Sequence, residues 1–195
     1  MAPRVLFLGR DDSGALAHLR SVEPDVVALA PDAEVTAATV AALAPADIVV
    51  HGFRRLLGAD VLGLLPGHVV NLHISLLPYN RGADPNLWSV LEDTPAGVTI
   101  HHVDPGLDTG DIIAQRELHF SDDETLASSY AALQDAMTEL FVATWPAIRA
   151  GTAPRHPQTG PSTSHRSRDR AAVEHLLTDG WQTPLGALRG RARRG

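Results

Sequence analysis

The chain has 195 residues, enough for one domain with a buried apolar core, and it contains no cysteine, which excludes disulfides, thiolate nucleophiles and Cys-based metal sites. All 16 basic residues are arginine, so Schiff-base lysines and a Walker-type phosphate loop are excluded as well. The formal charge of −7 argues against a broad nucleic-acid surface, whose affinity comes from clustered positive charge; a small-molecule partner and no nucleic acid are expected.

The opening MAPRVLFLGRDD holds one short apolar run closed by charges, too short for a signal-peptide core or a membrane span. It reads as a buried strand, and a cytoplasmic protein without membrane association is expected. Predicted strands at Val5–Leu8, Val26–Leu29, Ile48–His51 and Val69–Leu72 alternate with predicted helices at Ser13–Val22, Thr36–Leu43 and about Ala59–Leu65. Ser13 is a candidate N-cap and Gly67 a candidate terminator. This alternation predicts an α/β fold with a parallel sheet and crossover helices. Ligands of such sheets sit beyond the carboxyl ends of the strands, which directs attention to the residues after Ile48–His51 and Val69–Leu72.

Gly97–Val103 and Asp111–Leu118 read as two further strands joined by the turn-prone DPGLDTG. A long helix is expected to open at Ser121–Glu124, with Leu126, Tyr130, Leu133, Met137, Leu140 and Phe141 forming one apolar stripe. Pro146 is expected to kink or close it near Trp145. From Gly151 the chain is rich in Pro, Gly, Ser, Thr and Arg and reads as an appendage rather than a second core, so the predicted division is a domain over 1–150 and a tail over 151–195.

Asn71 and His73 stand two apart at the end of a predicted strand and therefore share a face. Asp108 lies in the turn between two later strands, from which a carboxylate can fold back toward that imidazole. An amide and a protonated imidazole can donate to an oxyanion. A carboxylate can orient the imidazole, raise its pKa and order a water that relays a proton.

Asn71-x-His73, the SLLP of Ser75–Pro78, Arg81-Gly82, and Gly97-Val98-Thr99-Ile100-His101 leading to Leu107-Asp108-Thr109-Gly110 resemble, in order and spacing, the formyltransferase family. That family includes methionyl-tRNA, glycinamide-ribonucleotide and amino-sugar formyltransferases. The resemblance covers roughly residues 1–150 and implies an open, mostly parallel sheet with Rossmann-like βαβ units and helices on both faces. It implies Asn71, His73 and Asp108 as the catalytic triad and 10-formyltetrahydrofolate as formyl donor to an amine. It places the folate pocket between Phe53–Leu57 and Val103–Asp108, where backbone groups of Arg55, Leu57, Asp104, Pro105 and Leu107 would meet the pterin edge.

Taken alone, His73 and Asp108 read as a structural strand-end histidine and a turn aspartate; the resemblance carries their catalytic reading. His101 and His102 face opposite sides of a strand, and no metal is assigned. Ser75 lacks the glycines of a nucleophile elbow and reads as loop structure. Gly82–Asn86 reads as a turn before a short helix containing Trp88. Arg189, Arg191, Arg193 and Arg194 read as a solvated tail.

Too few residues follow Gly151 for the C-terminal barrel of the methionyl-tRNA enzymes, and Asp11 and Asp12 after the first strand would repel the phosphate of a glycinamide ribonucleotide. The expected acceptor is the amine of an amino-sugar nucleotide or a secondary metabolite. The tail is expected to shape the acceptor pocket or a homodimer contact. A hydrolase releasing formate from the same cofactor and a non-catalytic folate-binding module are the alternatives.

Overall fold

The structure is a computed structural model and describes residues 4–192. Its main sheet has six strands in the order β2-β1-β3-β4-β6-β7. β1 (Val5–Gly9), β2 (Val26–Leu29), β3 (Asp47–His51) and β4 (Val69–His73) run parallel. β6 (Ala96–His102) pairs antiparallel with β4, and β7 (Ile112–Leu118) antiparallel with β6, so the sheet is mixed with a parallel four-stranded part. The connecting helices are α1 (Gly14–Val22), α2 (Ala37–Leu43), α3 (Ala59–Leu64), α4 (Pro85–Glu92) and α5 (Leu126–Arg149). Ser13 caps α1 by accepting the Leu16 N–H.

Both faces of the sheet are covered, and strand periodicity sorts the residues between them. Val5, Phe7, Val49, Val70, Leu72, Val98 and Ile100 face α1 and α5. Leu6, Leu8, Ile48, Val50 and Val69 face α2 and α3, where they meet Val40 and Val61. Asn71 and His73 are the next two positions on the Val69 face of β4, so the polar pair continues an apolar row.

α5 begins at Leu126 rather than at Ser121–Glu124. Ser121 and Glu124 close a turn on each other, and Thr125 and Ser128 form the capping box that starts the helix. The expectation that Pro146 closes the helix is corrected too: α5 continues to Arg149. Trp145 and Ile148 on either side of the proline are buried in the sheet-facing core, which holds the last turn in place.

The segment read as an appendage rather than a second core packs on α4 and β5. β8 (Ser164–His165) pairs in parallel with β5 (Arg81–Gly82), and Val173, Leu185 and Leu188 share an apolar cluster with Leu87, Trp88, Val90 and Leu91 of α4. Leu185 and Leu188 belong to the short helix α6 (Leu185–Leu188). Between β8 and α6 the chain makes three short 3-10 turns. Arg189, read as part of a solvated tail, pairs with Asp122 and Asp93 and donates to the Phe120 carbonyl. Arg193 and Arg194 lie outside the described residues. No helix among the described residues is long and apolar enough to cross a membrane.

Candidate active site

The carboxyl end of β4 carries the two residues singled out by spacing, and the register opposite them supplies a third. Asn71 pairs with His101 of β6 in an unbroken antiparallel register, while on the other side of β6 the ladder to β7 shifts register at Ile100/His101, leaving Ile113 of β7 without a partner. His73 is 7% exposed and its Nε2 lies 2.9 Å from the Asn80 carbonyl oxygen. A carbonyl oxygen only accepts, so Nε2 carries the hydrogen and Nδ1 is the nitrogen turned to Asp108 Oδ2, 3.7 Å away. That separation is an electrostatic contact, too long for a hydrogen bond.

Asp108 sits in the loop between β6 and β7 with a left-handed backbone, φ 52°. Its Oδ1 accepts from Asn71 Nδ2 at 3.1 Å and its Oδ2 from the Gly82 N–H at 2.8 Å. Gly82 itself has φ 89°, and a Cβ there would stand 2.2 Å from the His165 carbonyl oxygen, so only glycine lets β5 lie against β8 and present its N–H to the carboxylate. Burial raises the Asp108 pKa, but His73, His101 and the Gly82 N–H more than offset it and hold the carboxyl well below the usual range. Asp108 is therefore an acceptor and a fixed negative charge at neutral pH.

His101 is buried against the same group. Its Nδ1 donates to the His102 carbonyl at 2.8 Å, and its Nε2 lies 3.2 Å from Asn71 Nδ2 and 3.6 Å from Asp108 Oδ1. The sequence motif ends on His101 without assigning it a place beside Asn71 and Asp108. The signal lay in antiparallel pairing, which sets it opposite Asn71. Asn80 was missed as well: it is fully buried, has φ 55°, and orders His73 through its backbone. Ser75 donates its hydroxyl to the Tyr79 carbonyl at 2.8 Å, which ties down the loop.

Asn71, His73 and Asp108 thus converge. The five residues expected at the folate pocket lie on two loops beside them. Phe53, Leu57 and Val103 pack against the apolar cluster on the α2/α3 face, which anchors both loops on one wall. Leu107 lies over Gly82. Arg55 and Pro105 are exposed. The Asp104 carboxylate accepts from the Gly106 N–H and the Thr109 hydroxyl, so its side chain shapes the turn. No group of three or more His, Asp or Glu among the described residues is arranged to hold a metal ion.

A separate cleft at the carboxyl end of β1 is lined by Arg10, Asp12, Ser13, Gly14, Gln134, Asp135, Thr138 and Glu139. Asp12, expected to repel a phosphate, is matched there by the Arg10 guanidinium at 2.9 and 2.7 Å.

Comparison with known proteins agrees with this geometry. The chain is 50% identical over 101 residues to the methionyl-tRNA formyltransferase of Anaeromyxobacter dehalogenans strain 2CP-C, a match covering 50% of this chain and 32% of that protein. It is 34% identical over 170 residues to the methionyl-tRNA formyltransferase of Desulfotalea psychrophila, covering 80% and 53%. The chain thus spans about a third to a half of the length of these curated relatives. Among solved structures, the formyltransferase PseJ from Anoxybacillus kamchatkensis, crystallised with UDP-4,6-dideoxy-4-formamido-L-AltNAc and tetrahydrofolate, superimposes with a TM-score of 0.91 at 38% identity, covering 97% of this chain and 100% of that one. With Asn71, His73 and Asp108 drawn together within residues 27–145, the stretch matched by the formyl transferase family model, the chain belongs to the formyl transferase family.

Proposed function

We propose that the chain transfers a formyl group from 10-formyltetrahydrofolate to the amine of a sugar nucleotide. The observation that carries this reading is the Asp108 carboxylate, ionised and held between Asn71, His73 and the Gly82 N–H beside two loops suited to a pterin. Similarity to PseJ along nearly the whole chain supports a sugar-nucleotide acceptor. A folate held by these loops would supply the formyl group that the acceptor amine takes up in exchange for a proton.

The chain's own groups then have defined work. Negative charge develops on the formyl oxygen, and His73 Nδ1–H, once protonated beside Asp108, donates to it. Asn71 adds a second donor by giving up the longer of its two contacts, that to His101 at 3.2 Å. The Asp108 carboxylate faces His73 Nδ1 and orders a water that relays the proton lost by the attacking amine to the nitrogen the formyl group leaves. Arg55, Leu57, Asp104, Pro105 and Leu107 line the folate through their backbones.

Calorimetry with tetrahydrofolate and with 10-formyltetrahydrofolate, followed by mass spectrometry of a panel of UDP- and dTDP-amino sugars incubated with enzyme and donor, tests the proposal. Micromolar folate binding and one formylated amino sugar are expected. A folded chain that binds neither folate, or that releases formate at the same rate with and without every acceptor, overturns it.

A further inference from the structure

Residues 156–165 reach the candidate site by two separate routes. On the first, half-buried Gln158 donates from Nε2 to the carbonyls of Asp108, at 2.8 Å, and Gly110, at 2.9 Å. Its Oε1 accepts from Arg81 Nη2 at 2.7 Å and Nε at 3.2 Å. One side chain thereby ties the backbone of Asp108 to β5, whose next residue, Gly82, donates to the Asp108 carboxylate. The antiparallel bridge between His156 and Ile112 fixes the approach of this arm.

On the second route, Thr163 Oγ1 accepts from the Asn80 N–H at 2.8 Å and donates to Asn80 Oδ1 at 3.1 Å. The Asn80 carbonyl receives His73 Nε2–H. The two routes end on Asp108 and Asn80, both non-glycine residues with left-handed backbones, φ 52° and 55°. Such backbone conformations are less favourable for a residue with a Cβ and persist where surrounding bonds hold them. Gln158 and Thr163 supply such bonds.

We propose that Gln158 and Thr163 are positioning residues for formyl transfer, Gln158 setting the place of the Asp108 carboxylate and Thr163 setting the orientation of the His73 imidazole. This rests on the proposed function. The segment beyond residue 150 then completes the reacting geometry from outside the stretch matched by the family model. A displacement of about 1 Å at such groups costs on the order of 100-fold in rate without a matching loss of binding.

Substitutions in the full chain separate positioning from bulk structure. Gln158→Glu keeps the acceptor for Arg81 but loses both donated hydrogen bonds and turns a carboxylate toward two carbonyls. It is expected to lower kcat about 10- to 100-fold with KM for folate and acceptor near wild type. Thr163→Val, close in shape but without the hydroxyl, should fall similarly, and Thr163→Ser should recover to within about threefold of wild type. A readout independent of turnover is NMR of 13C-labelled aspartate carboxyls and 15N-labelled imidazoles. Gln158→Glu should move the Asp108 titration, and Thr163→Val should mix the His73 tautomers. Thermal melts establish that each variant is folded, and where one is not, the other carries the test.

If the wild type transfers formyl and both variants retain its kcat, or if kcat and KM deteriorate together while the NMR signals stay fixed, the positioning roles are overturned. If no formyl transfer is found but the NMR signals move as described, the proposed reaction fails and the positioning geometry stands.

Discussion

His73 Nε2 donates to the Asn80 carbonyl at 2.9 Å, so the ring turns Nδ1 toward Asp108. In the proposed reaction the nitrogen that faces the carboxylate is also the one that donates to the developing oxyanion. His73→Ala removes that donor and should lower kcat about 100- to 1,000-fold. Asp108→Asn keeps the shape, removes the charge and the water-relay acceptor, and should lower kcat about 100- to 10,000-fold. Because the two act through one contact, the double variant should be little worse than the poorer single one. Stopped-assay kinetics with the identified acceptor checks this, and additive losses would contradict the shared role.

The convergence of Asn71, His73 and Asp108 was legible because strand periodicity fixes which residues share a face and because the motif order matched a known family. The rest depends on contacts across the chain. Sequence spacing does not reveal that His101 lies opposite Asn71, since that follows from the antiparallel return of β6. Nor does it reveal that Thr163 reaches Asn80, 83 positions away. The packing of residues beyond 150 was hidden for a similar reason: Val173, Leu185 and Leu188 are spread among polar residues, and their partners lie in α4. The start of α5 was displaced because Ser121 and Asp123–Glu124 mimic a capping sequence, while the helix is capped by Thr125.

Gly82 joins the tail to the site through backbone geometry alone. In Gly82→Ala the added Cβ would stand 2.2 Å from the His165 carbonyl at a φ of 89°. β5 must then move away from β8 and carry its N–H away from Asp108 Oδ2. A loss of at least about 1–3 kcal/mol in stability is expected from the backbone strain, together with a rate loss of about 100-fold. Chemical denaturation and kcat measured on the same preparation test it; an unchanged rate in a destabilised variant would separate the Gly82 N–H from catalysis.

Folding stability should fall on mild acidification because of His51. It is 3% exposed at the end of β3 and shares a hydrogen bond with Ser13 Oγ at 2.8 Å. Burial first, then the nearby Arg10 guanidinium, lower its pKa to about 4 from 6.5. Between those values the unfolded chain binds a proton that the folded chain does not, so stability rises with pH across this window and is lost as pH falls through it. The contribution is roughly 3 kcal/mol. Asp108, depressed below the ordinary carboxylate value, adds a loss only at lower pH, as the solution approaches its folded pKa. Denaturant titrations from pH 7 to 4 should show the decline, and His51→Gln should flatten it.

Leu185 distinguishes support of the fold from support of the chemistry. Its side chain is fully buried in the cluster with Leu87, Trp88, Leu91 and Leu126, and its N–H donates to the Glu124 carbonyl at 2.8 Å. That cluster and that hydrogen bond belong to α4, the start of α5 and the segment before it, whereas Gln158 and Thr163 bond to Asp108, Arg81 and Asn80. Leu185→Ala leaves a cavity and should cost about 2–5 kcal/mol. In a domain of this size that corresponds to a lowering of Tm by roughly 4 to 20 °C. Below the new transition, kcat should stay within about threefold of wild type, because the rate depends on the placement of the reacting groups rather than on global stability. Calorimetry paired with kinetics at a temperature well below both transitions tests this. A rate loss matching that of Gln158→Glu would mean that the tail acts on the site as one packed body, and the separate arms would lose their special place.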